Sequence, residues 1–212
     1  MLFAGCSKDH SASPFKNNLF KVSITKPFAT EPNGTWAQVL GGEAAIQFNA
    51  IASDSLTATA INDSINLNNI AAYKKQLIAG NYNISLQTKS IAVADTFIRF
   101  SAQANAVLIN KDMPISLTGT SSDGVITISK KQVINSKRPT FTPAGTNNAY
   151  QFGLANGYYF IYVKNAITGR VIFTEPSTGD SYLKDISVSA MNQYDISAIL
   201  HTTSISVRSN HF

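Results

Sequence analysis

Gly80-Asn81-Tyr82-Asn83-Ile84-Ser85-Leu86 and Gly157-Tyr158-Tyr159-Phe160-Ile161-Tyr162-Val163 share the pattern G-x-Y-x-I-x-[LV]. In an extended chain, side chains alternate between two faces, so Tyr82, Ile84 and Leu86 fall on one face and Asn81, Asn83 and Ser85 on the other. The first copy therefore reads as a half-buried strand with those three apolar residues in the core. The second copy is apolar on both faces, with Tyr158, Phe160 and Tyr162 opposite Tyr159, Ile161 and Val163. That is the pattern of a central strand, or of one covered by a neighbour. Gly at the head of each copy permits a tight approach into the strand.

Outward from these two segments, the period of two persists and no stretch sustains a helical stripe for three turns. Strands are predicted over 19–25, 43–50, 55–61, 81–88, 97–102, 106–109, 113–119, 125–129, 157–164, 170–174, 183–189, 193–200 and 204–207. Turn residues punctuate them at Pro32-Asn33-Gly34, Gly41-Gly42, Asp123-Gly124, Pro143-Ala144-Gly145 and Ser177-Thr178-Gly179-Asp180. Many short strands at this spacing predict an all-β sandwich or barrel. The two motif copies extend the division: Phe97-Ile98-Arg99-Phe100 answers Val171-Ile172-Phe173, and Pro114-Ile115-Ser116-Leu117 answers Asp195-Ile196-Ser197-Ala198 about 80 residues on. The expectation is two consecutive β-sandwich domains of Ig-like or prealbumin-like type, over 18–119 and 120–212, behind an N-terminal segment of 1–17.

Composition narrows the setting. The chain has 212 residues, enough for two ordinary domains, and 44% are hydrophobic. Only 14% are charged, against a typical value of about 25%. Ser, Thr, Asn and Gln fill the surface instead, a profile that suits an extracellular β protein. The net charge is +5, but the 17 basic residues run from Lys8 to Arg208 with nothing tighter than the doublets Lys74-Lys75, Lys130-Lys131 and Lys137-Arg138. No aromatics interleave them, so a nucleic-acid partner is not expected. No run reaches the roughly 18 apolar residues of a membrane-spanning helix.

Cys6 is the only cysteine, which excludes an intrachain disulfide and thiolate-rich metal sites. The residues around it, Leu2-Phe3-Ala4-Gly5-Cys6, resemble the end of a bacterial lipoprotein signal peptide, in which the cysteine receives lipid. A polar tether, Ser7-Lys8-Asp9-His10-Ser11-Ala12-Ser13-Pro14, follows. In Bacteroidetes lipoproteins a short polar run behind the cysteine accompanies export to the cell surface, and Ser7-Lys8-Asp9 is similar to it. The basic and most of the apolar part of a signal peptide are missing, so the true start would lie upstream. The alternative is an ordinary free thiol.

Ala79-Gly80-Asn81-Tyr82-Asn83-Ile84-Ser85-Leu86 and the later Gly124-Val125-Ile126-Thr127-Ile128-Ser129 resemble the prealbumin-like and fimbrillin-like β-sandwich modules of Bacteroidetes surface lipoproteins. The resemblance covers most of 43–200. It implies binding, adhesion or assembly at the cell surface, an outer-membrane lipoprotein location and a surface protein or glycan as partner. It carries over no functional residue.

Catalytic patterns are missing from the sequence. His10, His201 and His211 have no ligand spacing, and neither a nucleophile elbow nor a zinc helix nor a phosphate-cradling loop occurs. Asp123-Gly124 and Gly179-Asp180 read as turns, and only folding could pair Glu43 with Asp95 or Glu175 with Asp185. No catalytic residue, metal ligand or cofactor is expected. Sugar rings stack on aromatic faces, which makes Trp36 and the pair Tyr158 and Tyr162 the candidate ligand contacts; packing is the alternative for each. The leading expectation is a non-enzymatic surface lipoprotein acting in adhesion or assembly, then a glycan-binding lipoprotein of a polysaccharide-capture system, then a hydrolase whose site the sequence hides. The closing segment Ser204-Ile205-Ser206-Val207-Arg208 either completes its own sheet or is donated to a neighbour's edge.

Overall fold

The structure, a computed structural model, describes residues 19–26, 40–51, 60–198 and 205–211. In chain order the strands of the first part are β1 (Leu19–Lys26), β2 (Glu43–Ala50), β3 (Ala60–Asn66), β4 (Lys75–Ile78), β5 (Gly80–Thr88), β6 (Ala94–Asp95), β7 (Ser101–Ile109), β8 (Met113–Ser116) and β9 (Thr118–Thr120). Those that follow are β10 (Asp123–Ser129), β11 (Thr140–Pro143), β12 (Tyr150–Gln151), β13 (Gly153–Ala155), β14 (Tyr158–Lys164), β15 (Thr168–Thr174), β16 (Ser181–Ser187), β17 (Asn192–Ala198) and β18 (Ile205–His211). The chain is all-β, built as β-sandwich modules.

Among the described residues four sheets form, in the orders β4-β1-β8, β3-β2-β5-β7-β9, β13-β14-β10-β17-β18 and β12-β11-β15-β16. The topology repeats. β1 lies between antiparallel β4 and parallel β8, as β10 lies between antiparallel β14 and parallel β17. The order β3-β2-β5-β7 likewise answers β12-β11-β15-β16. The two motif copies seen in the sequence do not occupy equivalent strands of this arrangement. The segment from Tyr158 to Val163 lies in β14, the counterpart of β4, whereas Gly80 to Leu86 lies in β5, the counterpart of β15. Only the last match, β8 with β17, aligned equivalent strands.

Alternation decides which faces are buried. In β5, Tyr82, Ile84 and Leu86 are 3%, 1% and 1% exposed, and they pack with Ile46 and Phe48 of β2 in a first core. In β14 both faces are buried. Phe160 and Tyr162 join that first core with Val125, whereas Tyr159, Ile161 and Val163 join a second core with Ile126, Phe141 and Val171. One sheet is therefore a layer shared by both cores, which accounts for the doubly apolar pattern of the segment. Burying a large apolar side chain contributes about 1.5–3 kcal/mol, and this layer does so on two sides.

Three local expectations change. Asp123-Gly124 is not a turn but the start of β10, with Asp123 fully buried. Glycine is needed at 124 for close approach, because a Cβ there would sit 2.6 Å from Ser189 O. Phe97 to Phe100 is not a strand, since Ile98 and Phe100 enter the first core while Arg99 points to Asp123. The strands expected over 97–102 and 106–109 become the single β7, with a register shift opposite Tyr82/Ile84 and Ala106 at φ 52°. The strand expected over 55–61 overlaps residues outside the described ones. β18 pairs antiparallel with β17 from Ile205 onward, so the closing segment completes its own sheet.

Candidate functional site

Cys6 and Trp36 lie outside the described residues. Of the tyrosine pair, Tyr162 is 1% exposed, with its ring edge-on to Phe160 at 5.9 Å between centroids. It is a core residue, and the expected platform loses that member. The reason is the shared layer: its neighbour across the strands is Val125 on one side and Asp95 on the other.

Tyr158 differs. It stands at the first residue of β14, half-buried, opposite Ser129 and packed at the margin of the first core. The turn before it uses positive φ at Asn156 (49°) and Gly157 (80°). Lys130 N–H donates to Gly157 O at 2.9 Å, joining the end of β10 to that turn. Between this turn and the segment after β10 lies a cleft of about 840 Å³, lined by Lys130, Lys131, Asn135, Ser136, Asn156 and Tyr158 above Val133, Ile134 and Pro176. A recess of about 240 Å³ shares Ser129 and Tyr158 with it and adds Thr127, Gln132, Asp195 and Arg208. There the Thr127 hydroxyl and, at 2.8 Å, the Gln193 amide both donate to Asp195 Oδ1.

A second surface is the outer face of the five-stranded sheet. Two rows cross all five strands, Ser64-Ala45-Gln87-Ser101-Thr120 and Asn62-Gln47-Ser85-Gln103-Thr118. Neither row contains a charged or aromatic side chain. The amides are chained, Asn49 donating to Gln47 at 3.1 Å and Gln47 to Asn62 at 2.8 Å. The sequence shows these residues only as the polar half of an alternating pattern.

The four carboxylates singled out for acid–base pairing are each held by another group. Lys89 lies 3.4 Å from Glu43, Ser90 donates to Asp95 at 2.9 Å, and Arg170 pairs with Asp185 at 2.7 Å. Glu175 accepts the Ser177 hydroxyl at 2.7 Å and the N–H groups of Ser177 and Thr178 at 2.9 and 2.8 Å, tying the turn between β15 and β16. The Ser177 hydroxyl first, then the two backbone N–H groups, pull the Glu175 carboxyl down to about 2. A carboxyl lowered in the folded state stabilises above its unfolded value, about 4.3, and loses that contribution as pH falls through the folded value. Carbon-detected NMR titration should place the Glu175 midpoint near 2, and Ser177→Ala should move it upward. A midpoint in the ordinary carboxylate range in the unsubstituted protein would contradict the assigned hydrogen bonds. Among the described residues, no group of three or more His, Cys, Asp or Glu is placed to hold a metal ion.

The ion pair between the two cores escaped the sequence reading. Arg99, 5% exposed, and Asp123, 0% exposed, meet at 2.9 Å, with Arg99 N–H also donating to Asp123 Oδ2 at 2.9 Å. The guanidinium continues to the carbonyls of Ala92 and Val93, and the Ser121 hydroxyl links Arg99 O to Asp123 N–H. Nearby, β6 pairs with β14, and Lys164 N–H donates to Val93 O at 3.0 Å. This is a structural clasp.

Fold and surfaces together define a β-sandwich protein with a preformed polar cleft and a broad hydrogen-bonding sheet face. Solved structures to which the chain is similar include a proposed cell adhesion protein from Bacteroides uniformis, at 10% identity and a TM-score of 0.49, covering 92% of this chain and 99% of that one. Another is a fimbrial assembly protein from Parabacteroides distasonis, at 9% identity and a TM-score of 0.46, covering 92% and 96%. A third comes from a group of proposed polysaccharide binding proteins of Bacteroides thetaiotaomicron, at 8% identity and a TM-score of 0.38, covering 92% and 98%. Likeness at this level transfers no residue roles. No protein-family model matches the chain, and no curated protein matches it.

Proposed function

We propose that this is a non-enzymatic protein of the bacterial cell surface, acting by binding in adhesion or surface assembly and held to the outer membrane by a lipid on Cys6. Its two modules, over 18–119 and 120–212, would project as a unit. The observation that carries the binding role is the contrast between side-chain sets. The candidate acid–base carboxylates are tied to structural partners, while uncharged amides and hydroxyls form one unbroken outward row across five strands, Asn62-Gln47-Ser85-Gln103-Thr118, and a second broken only by Ala45. Adhesion, fimbrial assembly and polysaccharide binding, the roles given to the similar structures, belong to this class of activity. Glycan capture is the second reading, favoured by the Tyr158 cleft.

Radiolabelled palmitate with protease shaving of intact cells tests the location. The full-length gene product should take up label and be shaved from whole cells, and Cys6→Ala should lose both properties. Label persisting in Cys6→Ala would remove the lipid anchor from this reading. A protein that is unlabelled and protected from protease in intact cells would remove the surface role.

A further inference from the structure

The geometry points to an anionic saccharide as the ligand of the cleft at the start of β14, with Tyr158 as stacking platform and Lys130 and Lys131 as charge partners. This rests on the surface-binding reading and adds a site and a ligand class to it. The local sequence builds the cleft in a short space. β10 ends at Ser129, and one 3-10 turn over Lys130–Gln132 sets two adjacent lysines on its rim. Both are exposed, and neither joins an ion pair among the described residues. No carboxylate lines the cleft, so its charge is unopposed there and complements an anion.

The rest of the lining suits a sugar rather than a bare ion. Asn135, Asn156 and Ser136 offer paired donors and acceptors for ring hydroxyls, and Tyr158 offers an aromatic surface for the C–H face of a ring. The volume of about 840 Å³ falls within the ordinary range of small-molecule sites, which combine an apolar lining with a few polar groups. The walls are preformed. Besides the bond from Lys130 N–H to Gly157 O, Ile134 N–H donates to Thr174 O at 2.8 Å and Lys137 N–H to Ile134 O at 3.2 Å. A wall fixed in advance loses little entropy on binding. The adjoining recess carries both Asp195 and Arg208, so the lysine pair at the main cleft supplies the charge that an anion would meet.

Isothermal titration of the full chain with tetragalacturonate, a sulfated tetrasaccharide, neutral cellotetraose and a tetraglutamate peptide tests the assignment. At least one of the two anionic saccharides should bind, more weakly at high salt; which one binds separates carboxylate from sulfate. The Lys130→Gln/Lys131→Gln double variant should weaken that binding about tenfold or more at unchanged thermal midpoint, and Tyr158→Ala should weaken it by a similar factor. Because Tyr158 also packs on the first core, the lysine variant, on exposed side chains, decides if Tyr158→Ala folds poorly. The assignment is overturned by binding that the lysine change leaves intact, by cellotetraose or the peptide binding equally well, or by no binding at all. Shaving of intact cells is independent of these outcomes, so a surface-exposed protein that ignores all four probes would lose the site and keep the surface role.

Discussion

Asp123→Ala is expected to destabilise the protein by about 3–5 kcal/mol, because it leaves the Arg99 guanidinium buried without its counter-charge. Arg99 is 5% exposed and the carboxylate accepts from its backbone N–H as well as its side chain, so water cannot substitute easily. Asp123→Asn keeps the shape and part of the hydrogen bonding but removes the charge, and should fall between the two. The double change Arg99→Leu/Asp123→Leu should recover part of the loss, since two apolar groups leave no stranded charge. Recovery stays partial because Ala92 O and Val93 O then lose the donors that the guanidinium supplies. Urea unfolding with the midpoint and slope read separately measures all three. A loss under about 1 kcal/mol for Asp123→Ala would mean that the pair is hydrated and is no clasp.

The reach of sequence reading can be judged from such residues. Tyr82, Ile84 and Leu86 were legible as core because burial on one sheet face imposes a period of two, and that signal is local. The doubly apolar segment 157–163 announced a covered strand for the same reason, and the structure supplies the two covers. The clasp was not legible. Asp123 next to Gly124 carries the composition of a turn, and its partner lies 24 residues away in a segment whose aromatics suggested a strand. Tyr162 was misplaced because periodicity places a ring on a face and says nothing about what packs over it. Tyr158, four residues earlier on the same face, is only half-buried although it packs on the same core. The placement of the two motif copies on non-equivalent strands has a similar cause: β4 is short and mixed, so the glycine-led β5 was the stronger local match to β14. Of the cleft, Tyr158 could be picked out, but Lys130 and Lys131 read as one doublet among three, and Asn135 and Asn156 converge only through the fold.

Tyr162→Ala is expected to be the second severe change, costing about 3–5 kcal/mol as a large-to-small substitution of a buried aromatic. Its consequence should extend beyond the cavity. Tyr162 packs in the first core, yet the strand that carries it also carries Tyr159, Ile161 and Val163 in the second. A shift of β14 toward the cavity would draw those residues away from Phe141 and Val171. Loss of the β6 pairing, in which Tyr162 faces Asp95, would loosen the clasp segment as well. Native-state hydrogen exchange resolves the effect strand by strand. Amides of β5, wholly in the first core, and of β15, in the second, should lose the same free energy of protection in Tyr162→Ala. A drop confined to β5 would show that the two cores open separately and that the shared layer does not couple them. Tyr158→Ala serves as the counterpart, since a ring only partly buried at the strand's first residue should cost less and leave β15 protected. If instead Tyr162→Ala kept full protection in both strands, the surrounding core would have to close over the lost ring, and the shared layer would not depend on it.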